Sequence, residues 1–294
     1  MQGRKMNQYE QVPVPNIKEA TETVLEMLAD FDEENFYNKY TPQIVTTNEL
    51  YQIYELQNHI KPGAKVLTVS ASGEQPLFAK LYGADYVLTF DISYNAYLLT
   101  SLKIATIQTF EKHTDYEHFM GNLGGYCKPG MLLRAPKMYN VLSHLDNITK
   151  NHMSGMDYLG MPVLLGDSSC QYYTIRQNDY DKLRQLVKKP FPFIWTDIDA
   201  LDKKLGDDDF DIIYYSNILD FANPEKTRTV LENTKKHLKP NGKLFLVVAD
   251  RYIISMIEAV YDVYQTQGWK TGLRESLDDR GFRQIIIQRE QNIR

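Results

Sequence analysis

The sequence predicts a doubly wound α/β sheet, and three observations predict it. Short β-rich runs alternate with helical stretches, and turn signals stand at the junctions. Residues 243–249 form a continuous apolar run, the mark of a strand covered on both faces. The 294 residues are 43% hydrophobic and 24% charged, which suits one decorated α/β domain with a sizeable core.

Two helical stretches come first, forming an N-terminal helical cap over residues 1–60. Ile17 to Phe31 carries Ala20, Val24, Leu25 and Leu28 at helical spacing. Thr47 to Ile60 follows, with Thr47 as a plausible cap, until Lys61-Pro62-Gly63 turns the chain. Residues 61–294 then hold the sheet. Lys65 to Ser70 is the first strand, and Pro76 to Leu81 is a helix with proline in its opening turn. Tyr86 to Phe90 is a second strand ending at Asp91. Ser93 to Phe110 is a helix capped by Ser93, with Leu98, Leu102 and Ala105 on its apolar side.

Residues 111–190 interrupt the alternation and are expected to form a mostly helical insertion, with helices near Tyr139 to Thr149 and Asp179 to Lys188. The alternation then resumes. Pro192 to Thr196 is a strand ending at Asp197, and Phe210 to Ser216 is another. Pro224 to Leu238 is a helix stopped by Lys239-Pro240-Asn241-Gly242. A strand over Lys243 to Ala249, a helix over Ile253 to Thr266 and a last strand over Arg283 to Gln288 complete the pattern.

Composition excludes several classes. The longest apolar runs fall far short of the ~20 residues a membrane span needs, and MQGRKMNQYEQ lacks the apolar stretch of a secretory signal. A cytoplasmic protein without an integral membrane segment is the expectation. Two cysteines, Cys127 and Cys170, cannot build a disulfide framework or a thiolate metal site. Thirty-three basic against 38 acidic residues give a net charge of −5, which argues against capture of nucleic acid. No metal site is expected. His113 and His118 are off the i, i+4 spacing, and Asp207-Asp208-Asp209 suits a solvated acidic turn.

In a doubly wound sheet, ligands bind beyond the carboxyl ends of the strands. Three features fall there. The loop after the first strand, Ser70-Ala71-Ser72-Gly73-Glu74-Gln75, has small residues that let a ligand approach the backbone, and Gly73 can take a positive φ. Asp91, 18 residues beyond Gly73, is placed to accept hydrogen bonds from both ribose hydroxyls. Asp197 is placed to accept from an adenine amino group. A plain turn and two helix caps are the competing account of the same residues. NAD is disfavoured, because its loop needs three glycines to approach a pyrophosphate and this loop has one.

In these features the chain resembles the S-adenosylmethionine-dependent methyltransferase-fold superfamily. The segments VLTVSASGEQ and TFDISYNAYLLTSLKIATI, then DIIYYSNILDF and LKPNGKLFLVV, are similar to its first, second, fourth and fifth strands with their loops. More narrowly, it looks like the branch of 3-amino-3-carboxypropyltransferases that make diacylglyceryl-homoserine lipids, with their bacterial relatives. The likeness covers roughly residues 60–120 and 190–250. The chain departs from that branch where Ser93-Tyr94 replaces an Asn-Pro and where the loop lacks a second glycine, and from the superfamily where Thr68 replaces the usual first-strand acid.

The resemblance implies a Rossmann-like, class I methyltransferase fold and S-adenosyl-L-methionine as cofactor. The expected cofactor contacts are Ser70, Ala71, Ser72, Gly73 and Gln75 on the first loop, then Asp91 with Ile92, Asp197 with Ile198, and Ser216 with Asn217. Asn217 and Asp220, just past the fourth strand, are the expected catalytic pair. Asn217 would orient the reactants, and Asp220 would accept a proton. Capping of the next helix by Asp220 is the bland alternative. The expected activity is aminocarboxypropyl transfer to a small-molecule or lipid-like acceptor. Methyl transfer, or binding without turnover, stays open. Gln171-Tyr172-Tyr173 in the insertion is a candidate lid.

Overall fold

The computed structural model describes residues 53, 55–123, 137–145, 176–274 and 282–290. Its elements run β1 (Lys65–Val69), α1 (Glu74–Leu81), β2 (Tyr86–Asp91), α2 (Tyr94–Thr109), α3 (His113–Leu123), α4 (Met138–Ser143), α5 (Gln177–Leu186) and β3 (Phe193–Trp195). There follow α6 (Ile198–Leu205), β4 (Phe210–Tyr215), α7 (Pro224–Lys235), β5 (Leu238–Ala249), α8 (Ile253–Tyr264), β6 (Trp269–Arg274) and β7 (Phe282–Arg289).

One seven-stranded sheet has the order β3-β2-β1-β4-β5-β7-β6. β1 is parallel to β2 and β4, and β4 to β5, whereas β7 runs antiparallel to both β5 and β6. This mixed order is the class I methyltransferase arrangement that the resemblance implied. Its topological switch lies at β1, the strand flanked by β2 on one side and β4 on the other.

The chain divides into two compact units, one with Ser70–Leu77 and Asp91–Trp195, the other with Glu49–Val69, Phe78–Phe90 and Thr196–Arg294. The first unit centres on α2. That helix is buried nearly all round, not along the single side of Leu98, Leu102 and Ala105, since Ala96, Leu99, Ile104 and Ile107 are covered too. Its buried hydroxyls at Thr100 and Thr106 donate to the carbonyls of Ala96 and Leu102, so these two polar groups are paired inside the apolar packing. α5 docks through Gln108 Nε2, which donates to the carbonyls of Arg184 and Val187, and through the Tyr180 hydroxyl, which donates to Phe110.

In the second unit the core lies on the central strands. Leu67, Leu88, Phe210, Ile213, Leu244, Phe245 and Val248 are inaccessible, as parallel strands covered on both faces require. β5 starts five residues earlier than the apolar run. Lys239-Pro240-Asn241-Gly242 does not end a helix but forms an irregularity within the strand, where register moves from Phe210↔Leu238 to Ile212↔Lys243. Asn241 takes φ +64°, and a Cβ on Gly242 would lie 2.8 Å from the Lys239 carbonyl oxygen. α7 accordingly ends at Lys235.

Within the expected 111–190 insertion the described residues form α3, α4 and α5. Most of the N-terminal cap, Cys127, Cys170 and the 171–173 lid candidate lie outside the described residues. Among the described residues, no helix is long and apolar enough to cross a membrane.

Candidate functional site

In the first unit, the loop after β1 turns back on itself and onto α2. Gly73 N–H donates to the Ser70 carbonyl at 2.8 Å, and Gly73 has φ +96°. A Cβ there would meet Thr100 Oγ1 at 2.9 Å, so the loop lies against the helix as only glycine permits. Ser70 Oγ sits 3.1 Å from Thr100 Oγ1. Ala71 adopts φ +43°, a left-handed conformation that costs an alanine roughly 1–2 kcal/mol. Such strain is retained where surrounding contacts impose it, and it concentrates at functional sites.

The imposing contact is Asp91. Its Oδ2 accepts from Ala71 N–H at 2.9 Å and its Oδ1 from Ser93 N–H at 2.9 Å. The residue is 9% exposed. Burial pushes its carboxyl up to about 6, against the pull of the Ser93, Ala71 and Ile92 amides. Each carboxylate oxygen carries two lone pairs, and the Ala71 and Ser93 amides take one on each, so the carboxylate keeps acceptor capacity for a ligand hydroxyl. A buried carboxylate with a displaced pKa at a strand end is a physical signature of a binding site.

Sequence reasoning missed a second feature of this loop. Lys103, 2% exposed on α2, forms an ion pair with Glu74, whose other carboxylate oxygen accepts from Ser72 Oγ. The available signal was a lysine in the middle of the apolar run LLTSLKIATI. Its cation is committed to Glu74, which leaves Asp91 to set the local charge beside the loop. That acceptor suits a diol or a cationic ligand, whereas a pyrophosphate would face like charge. Ser70, Ser72 and Gln75 have buried side chains. Ser93 donates its backbone N–H to Asp91 and makes no side-chain cap on α2, contrary to expectation.

The remaining candidates belong to the second unit. Asp197 is the N-cap of α6: its carboxylate accepts from Ile198 N–H and pairs with Lys226 Nζ at 3.3 Å. The capping account of Asp197 therefore describes an observed contact. Asp197→Ala should lower stability by about 1 kcal/mol, the usual cost of a lost cap, while Asp197→Asn keeps most of it; chemical denaturation of the two variants checks this.

Ser216 is buried and donates from Oγ to Asn217 Oδ1 at 3.2 Å. Asn217 opens a short 3-10 helix, Asn217–Phe221, and is partly exposed. Asp220 is 7% exposed and its Oδ2 accepts from Ala249 N–H at 2.9 Å, tying the segment after β4 to the end of β5. The cap of α7 is Asn223, whose side chain accepts from Lys226 N–H. The alternative in which Asp220 caps the next helix is thus not what the structure shows. Proline at the first helical position puts the cap directly before Pro224.

No family model and no curated protein matches the sequence. Solved structures do. An rRNA methylase from Streptococcus thermophilus is similar over 84% of this chain and 99% of its own, at 11% identity and a TM-score of 0.44. A putative S-adenosylmethionine-dependent methyltransferase from Streptococcus mutans matches 83% of this chain and 49% of its own, at 11% identity and a TM-score of 0.47. An S-adenosylmethionine-dependent O-methyltransferase from Thermotoga maritima matches 85% and 69%, at 9% identity and a TM-score of 0.43. The expected exclusion of nucleic acid is corrected here, since an rRNA methylase stands among these matches. Net charge summed over a chain does not say where the charges lie, so −5 was no ground for that exclusion.

Proposed function

We propose that this chain is an S-adenosyl-L-methionine-dependent transferase. The observation that carries the reading is the Asp91 clasp. A buried carboxylate at the end of β2 is aimed by two backbone amides and joined to a strained, single-glycine loop after β1. Such a carboxylate accepts a ribose diol, and the loop lacks the glycines and free cations that a pyrophosphate needs.

When bound, S-adenosylmethionine supplies a carbon activated by its sulfonium, open to displacement with a neutral thioether as leaving group. The chain's own contribution is positioning: Asp91 would hold the ribose, and the loop backbone would bring ligand and chain into close approach. Transfer of the 3-amino-3-carboxypropyl group is the finer reading, supported by the branch-like segments VLTVSASGEQ and LLTSLKIATI. Methyl transfer is the second reading, supported by the strand order.

Incubation with S-adenosyl-L-methionine and a cell extract tests both, through the nucleoside released. Methylthioadenosine supports aminocarboxypropyl transfer, and S-adenosylhomocysteine supports methyl transfer. Absence of both, with calorimetry showing tighter binding of NAD or ATP, would sink the transferase reading.

A further inference from the structure

The geometry points to Trp195 as a positioning residue that fixes the Asp91 carboxylate through the peptide between Ile92 and Ser93. Trp195 Nε1 donates to the Ile92 carbonyl oxygen at 2.9 Å. The N–H at the other end of that same peptide, on Ser93, donates to Asp91 Oδ1. A peptide unit is planar and stiff, so fixing its carbonyl fixes the direction of its N–H. The indole thus acts on Asp91 across one rigid group without touching it. Ala71 N–H holds the other carboxylate oxygen, and the two contacts together define the plane of the carboxylate.

The indole is itself held. Its ring meets Tyr94 edge-on at 5.9 Å, and Tyr94 is 4% exposed and packs against Phe193 and Tyr97. Edge-to-face contacts of this kind favour one ring orientation. Neither the resemblance nor the pattern of charges marks Trp195, because its polar partner is a main-chain carbonyl. Its bearing on ligand binding rests on the transferase reading, but its grip on the peptide does not.

Trp195→Phe removes the N–H donor and keeps an aromatic ring. In serine-labelled protein, hydrogen exchange of the Ser93 amide should become about tenfold faster in this variant, because the peptide loses its anchor. In the same variant, calorimetric affinity for S-adenosyl-L-methionine should fall about tenfold, the scale of one lost fixed contact at the acceptor. Unchanged Ser93 exchange in folded Trp195→Phe overturns the inference. So does unchanged affinity where the wild-type protein binds. If Trp195→Phe does not fold, the wild-type indole Nε1–H decides: slow exchange supports the anchor and fast exchange overturns it. A wild-type protein that binds no S-adenosyl-L-methionine, with Ser93 exchange accelerated in the variant, refutes the transferase reading and leaves the anchor standing.

Discussion

Replacing Asp91 with alanine should weaken binding of S-adenosyl-L-methionine at least tenfold, while the melting temperature of the ligand-free protein moves little. The affinity loss follows from two charge-assisted hydrogen bonds to the ribose, each contributing roughly 1.5–3 kcal/mol. The small change in stability follows from two opposed effects. Alanine forfeits the contacts to Ala71 and Ser93 N–H. It also removes a buried carboxyl that burial lifts from 3.8 to about 6, so that keeping it ionised costs on the order of 3 kcal/mol at neutral pH.

That displacement also sets a pH dependence. The folded value lies above the unfolded one, so the folded chain binds the extra proton between about 4 and 6. Asp91 therefore favours the folded state at low pH, and this contribution is lost as pH rises through about 6. Ligand binding has the opposite slope. Ribose hydroxyls donate to the carboxylate and prefer it ionised, so affinity should fall as pH drops below about 6, by up to about tenfold per pH unit, with uptake of ligand releasing a proton. Asp91→Ala should show a flat profile over the same range. Calorimetry between pH 5 and 8 reads both curves, and a wild-type profile as flat as the variant's would rule out the ribose contact.

The parallel strands were legible because their apolar runs are dense and short. β1, β2 and β4 begin at Lys65, Tyr86 and Phe210, as expected, and end within one residue of expectation. β6 was missed because WKTGLR is polar, carries Gly272 and is exposed over Thr271, Gly272 and Leu273, so neither periodicity nor apolar density marks it. The first residues of β5 were hidden by a Pro-Asn-Gly sequence that signals a stop when read locally. Only the partner strand reveals it as an irregularity within a ladder.

The site divides in the same way. Asp91 and Gly73 could be placed from spacing, since strand ends and turns leave local marks. The contacts that orient Asp91 could not. Ala71 N–H and Ser93 N–H are backbone groups, and every residue but proline carries one, so sequence holds no trace of which pair is recruited. The Glu74–Lys103 pair joins residues 29 apart and is likewise a product of the fold.

Asp220 should separate its two roles under substitution. Its carboxylate accepts from Ala249 N–H at 2.9 Å in a buried setting, so Asp220→Ala leaves that amide without its charged acceptor. The expected loss is roughly 1.5–3 kcal/mol of stability, visible as an earlier denaturation midpoint. Asp220→Asn retains an acceptor oxygen of the same reach and should recover most of that loss. Turnover divides the two accounts where stability does not. A carboxylate that takes the nucleophile's proton is replaced in Asn by a group that cannot accept one, so turnover should fall about a hundredfold or more with cofactor affinity near normal. A carboxylate that only ties the segment after β4 to the end of β5 is replaced in Asn by a competent substitute, and turnover should then match the wild type. Asn217→Ala completes the comparison. Its side-chain oxygen accepts from its sequence neighbour Ser216, a local contact, so the substitution should cost little stability, and any loss of turnover or cofactor binding would come from the side-chain amide itself. Wild-type turnover in both Asp220→Asn and Asn217→Ala would remove the segment after β4 from the chemistry and leave it a strand-end clamp.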